Sequence, residues 1–138
     1  MMNLGKRIAV LCMMPIMMAA GWIPLDGPLL CSIAQGIECA SDLSCGEPDF
    51  LNTPPTFIYV DLDGMAVTLL APEERRGEVT PVASVEHLED RVLLSGIEGY
   101  RSWSMMILDD GAMSLTVAAA GSGIVAFGQC LPADQTRP

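Results

Sequence analysis

Basic residues are almost missing from this chain. Lys and Arg together number 7 among 138 residues, against 17 Asp and Glu, for a formal net charge of −10. The only lysine is Lys6, and after Arg7 the cations are Arg75, Arg76, Arg91, Arg101 and Arg137. A body of this sign repels phosphate backbones and anionic lipid at long range. Nucleic-acid binding and adsorption to an anionic membrane are therefore not expected. A basic protein is the partner class that the charge permits.

Histidine is scarcer still. His87 is the sole one, in Glu86-His87-Leu88-Glu89-Asp90, and no Cys-x-x-Cys occurs, so a zinc site lacks ligands. A hydrolase would have to use His87 as its base, yet there is no Gly-x-Ser-x-Gly elbow. Ser84 and Ser95 are near in sequence, with nothing to position them. The His87 stretch reads as a polar turn between strands.

Asp61-Leu62-Asp63-Gly64 resembles the start of a calcium loop, but an EF-hand continues through further oxygen ligands to a glutamate. Here Met65-Ala66-Val67-Thr68 follows, which is a strand. No carboxylate pair stands out for glycoside chemistry. Gly121-Ser122-Gly123 is a turn without the lysine or helix of a phosphate loop. The sequence thus assigns no catalytic, metal-binding or cofactor-binding residue.

The N-terminus carries the first positive signal. Lys6-Arg7 precede the uncharged run Ile8–Ala20, and small residues follow. This is the secretory pattern of charged, apolar and small-residue regions. Pro15 and Pro24 interrupt the apolar stretch, which ends at Asp26 and is short for a permanent membrane span. Residues 1–34 are expected to be an export signal, cut after Gly21 or after Ala34. Leu11 and Leu30 stand before Cys12 and Cys31, which argues against a lipobox. The expected location is the periplasm or the secreted fraction, with membrane contact only through this segment.

The cut decides how the cysteines pair. After Gly21 an even set remains: Cys31, Cys39, Cys45 and Cys130. After Ala34 an odd thiol is left over. An oxidising compartment favours disulfides: Cys39 with Cys45 in a tight loop, or Cys45 stapled to Cys130.

Past an irregular Cys- and Pro-containing lead-in (residues 35–55), residues 56–130 read as an all-β domain, followed by a flexible tail (131–138). No helical period is sustained there. Six or seven short strands are expected in an antiparallel up-and-down meander, either a curved sheet or a small barrel. Asp63-Gly64 suits a two-residue type I′ turn, which pairs Leu62 with Met65, Val60 with Val67 and Ile58 with Leu69. The opposite face then carries Tyr59, Asp61 and Thr68. Glu78–Val85 is a third strand, edge-like because of Pro81, and Arg91–Ile97 a fourth.

In the next hairpin a two-residue Asp110-Gly111 turn would mismatch the faces. A three-residue loop Asp109-Asp110-Gly111, with Gly111 left-handed, pairs Ile107 with Met113, Met105 with Leu115 and Trp103 with Val117. Trp103, Met105-Met106 and Met113 are assigned to core packing rather than to a ligand pocket. A last strand, Ile124–Gly128, leads to Cys130.

Ser95-Gly96, followed by Tyr100, Trp103 and a later strand, resembles the membrane-bound lysozyme inhibitor family of C-type lysozymes. The resemblance covers one short stretch, and the family's lipobox is absent. It implies a small exported β-barrel with a disulfide that binds a strongly basic enzyme. The expectation from the whole sequence is an exported, acidic, non-enzymatic binding or interaction module, for example an inhibitor of a basic enzyme. The alternatives are an exported enzyme using carboxylates and His87, a structural component of envelope assembly, and a small-molecule carrier with a cavity between the Trp103 and Val60 faces.

Overall fold

The computed structural model describes residues 21–48 and 55–133. The first twenty residues of the expected export signal and the end of the tail lie outside the described residues. The regular structure of the described residues is strand: β1 (Leu29–Ala40), β2 (Cys45–Gly46), β3 (Phe57–Asp61), β4 (Ala66–Ala71), β5 (Val79–Pro81), β6 (Ser84–His87), β7 (Arg91–Glu98), β8 (Arg101–Leu108), β9 (Ala112–Ala119) and β10 (Ser122–Pro132). A short 3-10 turn, Glu73–Arg75, follows β4.

All ten strands form one antiparallel sheet, in the order β5-β4-β3-β1-β10-β9-β8-β7-β6, with β2 paired to β1. The sheet is a meander curled into a half-barrel. Its two end strands are consecutive in the chain. Pro81 has no N–H to continue the ladder with β4. The next amides divide, the Val82 N–H donating to the Met65 carbonyl on the β4 side and the Ala83 N–H to Ser95 in β7. The expected third strand is thus one bent stretch that changes partner and brings the ends of the sheet together.

Both hairpin registers match the sequence pattern. Ile58 faces Leu69 and Val60 faces Val67, while Ile107 faces Met113, Met105 faces Leu115 and Trp103 faces Val117. Gly111 has φ 87 and occupies the left-handed position that favours glycine. The first turn differs from expectation. It spans Leu62–Met65, and the left-handed residue is Met65 (φ 51), not Gly64. Asp61 fixes it, its Oδ1 accepting the Gly64 N–H at 2.8 Å. This side-chain cap replaces the type I′ geometry without altering the register. Tyr59, assigned to the polar face, is buried.

The larger correction is β1. Residues read as the end of a signal and an irregular lead-in form the longest strand, between β3 and β10. Its alternation is masked because the pairing slips by a residue between Ile33 and Gln35, as a β-bulge does. The core is the apolar inside of the curl, with Leu29, Val60, Val92, Leu94, Met105 and Ile107 fully enclosed and no polar or charged residue buried among the described residues.

The ends of the half-barrel are finished differently. At the end carrying the β3–β4 and β8–β9 turns, Ile23 and Leu25 of the leading segment pack on the core. The Ile23 N–H donates to the Asp109 carbonyl at 2.7 Å. At the other end, by the β7–β8 turn, the interior opens into a cleft.

Candidate functional site

Alternation along β8 turns Arg101, Trp103 and Met105 to one face, so this strand runs from the rim of the cleft to its floor. The cavity measures about 90 Å³. Ile58, Val67, Leu69, Met105 and Leu115 supply apolar walls, and Arg75, Thr80, Glu98 and Arg101 supply the polar groups. Val60, expected opposite Trp103, does not line it. The cavity lies one step further along β3 and β4, at Ile58 and Leu69. The lining joins strands distant in sequence, which is why hairpin reading alone placed Trp103 and Met105 wholly in the core.

Trp103 is 8% exposed, and its seat depends on its cross-strand neighbour. Gly96 pairs with Trp103, and a Cβ there would stand 2.6–2.7 Å from three atoms of the indole. Glycine is what allows the ring to lie against the β7 backbone. The Ser95-Gly96…Trp103 pattern therefore has a local packing cause.

Two side chains that line the cleft carry an unused donor. Trp103 Nε1 and Arg101 Nε are buried and have no hydrogen-bond partner among the described residues. A buried donor left unmade costs about 1–3 kcal/mol. The other rim groups are engaged. Arg75 donates to Glu78 through Nε and Nη2, at 3.1 and 2.6 Å, and Thr80 Oγ1 donates to Glu98 Oε1 at 3.4 Å. Hydrogen bonding from the Arg75 guanidinium, aided by its charge, holds the Glu78 carboxyl below the usual glutamate range. Arg101 makes no ion pair of this kind among the described residues; its guanidinium carbon lies 5.5 Å from the Tyr100 ring centroid.

The cysteines pair as Cys31–Cys130, across β1 and β10, and Cys39–Cys45, across β1 and β2. The local loop is as expected, and the alternative bond from Cys45 to Cys130 is not formed. Cys31 directly faces Cys130 in the sheet. These bonds are compatible with an oxidising, extracellular environment.

Other sequence candidates are dispersed. His87 is exposed at the end of β6, and the described residues contain no cluster of three metal-ligating side chains. Asp61 caps its own turn. Ser84 and Ser95 do meet, their Oγ atoms 2.7 Å apart, as a cross-strand pair of β6 and β7. The sequence pattern named the face of Trp103, but its unused donor is visible only when the neighbouring strands are in place.

No family model, curated protein or solved structure matches the chain.

Proposed function

We propose that this chain is an exported, non-enzymatic binding module that receives a group of its ligand in the cleft at the open end of the half-barrel. The observation that carries the reading is a cavity with an apolar floor and a polar rim, two of whose lining side chains, Trp103 and Arg101, keep a buried, unused donor. Natively buried polar groups are nearly always satisfied, and an exception calls for a cause such as strain, an ordered water or a bound group. Apolar walls with a few convergent polar groups are the usual make-up of a binding pocket. Its size suits one side-chain-like group rather than a large cofactor.

Export and processing after Gly21 belong to the same proposal. Ile23 and Leu25 pack on the core, β1 begins at Leu29, and Cys31 bonds to Cys130. A cut after Ala34 would remove all of these. The intact mass of the exported protein, oxidised and reduced, tests this: a chain starting at Trp22 with two disulfides is expected, and a start at Gln35 overturns it.

The binding role is tested by passing the envelope and secreted fractions of the producing cell over immobilised wild type and Arg101→Gln. A component retained by wild type and lost from the variant is expected; identical retention overturns the role of the cleft. A second reading, inhibition of a basic enzyme, is favoured by the net charge of −10, which steers a cationic partner. Inhibition of a C-type lysozyme at low salt, weakening as salt is added, would support it. No inhibition at low salt excludes it.

A further inference from the structure

We propose that the cleft is selective for a small aliphatic carboxylate, whose head pairs with Arg101 while its hydrocarbon body fills the apolar floor beside Trp103. This inference rests on the reading of the open end as a binding site, and adds the class of ligand.

Size limits the apolar part. A dry apolar cavity of ~150 Å³ accepts benzene, so about 90 Å³ suits a branched body of about four carbons on the same scale. The side chains of Ile58, Val67, Leu69, Met105 and Leu115 offer a ligand no N–H or O–H donor. A sugar or a second charged group placed there would lose its hydration without compensation.

Charge defines the head. The Arg101 guanidinium can only donate, so a ligand head that meets it must bring acceptors. Arg101 is partly buried, its Nε fully so, and a cation removed from water is stabilised by a counter-charge more than by a neutral dipole. Glu98 is its cross-strand neighbour, but that carboxylate accepts from Thr80 and forms no ion pair with Arg101. An incoming carboxylate would pair with the Arg101 guanidinium at the rim, beside the Trp103 ring. Glu98 opposes the same head by like charge. Its neutralisation should therefore tighten binding, and loss of Arg101 should weaken it.

Two sources provide this chemistry: a free short-chain acid, or the last residue of a polypeptide, apolar and ending in its α-carboxylate. The experiment uses the oxidised, exported protein and the indole ¹⁵N–H resonances. Trp22 and Trp103 are the two tryptophans of the chain, and Trp22 is exposed at the opposite end, an internal control.

Titration with isovalerate should move the Trp103 signal saturably and leave that of Trp22 in place. Isovaleramide, equal in shape and uncharged, should bind about tenfold more weakly or worse, as should isovalerate to Arg101→Gln. Glu98→Gln should bind isovalerate several-fold more tightly. N-acetyl-leucine binding more tightly than isovalerate assigns the site to a chain terminus; the reverse assigns it to the free acid. Equal affinity for isovalerate and isovaleramide overturns the carboxylate and leaves the cleft as a site. A Trp103 signal unmoved by every probe, in a folded protein, overturns both.

Discussion

The closed and open ends of the half-barrel use the same strands and differ in how completely their polar groups are matched. At the closed end the Ile23 N–H reaches Asp109, the Asp109 N–H reaches Asp90, and the Cys130 N–H reaches Gly111. Gln129 Nε2 donates to the Asp110 carbonyl at 2.9 Å, and two apolar side chains of the leading segment lie over the core. At the open end the interior stops at Trp103 and Arg101 with donors unused. Such completeness separates an end whose polar groups are met within the chain from one that keeps buried donors unmet.

The largest effect should come from the disulfides, which mark the same contrast. Cys31–Cys130 joins residues 99 apart, and Cys39–Cys45 residues 6 apart. Restriction of the unfolded chain contributes about 4–5 kcal/mol for the long loop and about 2 for the short one. Cys31→Ala with Cys130→Ala should lower the free energy of denaturant unfolding about twice as much as Cys39→Ala with Cys45→Ala. Equal losses would mean that the long loop is already restrained in the unfolded state.

Next in size are substitutions that unplug one end or overfill the other. Ile23→Ala with Leu25→Ala removes half-buried side chains and should cost about 2–4 kcal/mol, below the full price of two core truncations. The Trp103 indole resonance should hardly move. Gly96→Ala should cost about 1–3 kcal/mol, since its methyl group overlaps the indole, and should shift that resonance strongly. If both variants disturb Trp103 alike, the two ends are mechanically coupled and the contrast fails.

The sequence carried the sheet more fully than the site. Period-2 patterning settled the pairing of β3 with β4 and of β8 with β9, because a one-residue slip would have turned an apolar face outward. In β1 the bulge after Ile33 broke the same pattern, and Ser32-Ile33-Ala34 also satisfied the small-residue rule for a signal cleavage site. Local signals there suggested a signal end and an irregular lead-in, whereas pairing with β3 and β10 makes Leu29–Ala40 a strand. The Met65 turn shows a milder case, with Asp61 supplying from its side chain what the Asp-Gly pair was expected to supply from the backbone. The cleft was less legible. Its walls come from β3, β4, β8 and β9, and the absence of a hydrogen-bond partner is a property of the assembled neighbourhood.

The smallest expected effect is on acid stability, and it again divides by end. Glu78 is bound by Arg75 beside the open cleft. Asp90 is bound by Arg91, at 2.7 Å, near the closed end. Hydrogen bonding from the arginine, then its charge, holds each carboxyl below its ordinary range, and Asp90 in turn raises the Arg91 guanidinium. A folded-state pKa below the unfolded one means that the unfolded chain binds more protons in between. The stabilisation is therefore complete above the ordinary carboxylate range and is lost as pH falls through the depressed values. Both carboxylates face solvent, so the effect should be small and screened by salt. The melting temperature should hold level down to about pH 5 and then decline. Glu78→Gln and Asp90→Asn should each flatten part of that decline at low salt, and neither should matter at 1 M salt, where the Debye length is about 3 Å. Only Glu78→Gln should also change isovalerate affinity, because Arg75 lines the cleft and Arg91 does not. An equal change from Asp90→Asn would show that net charge, rather than the open rim, governs the ligand.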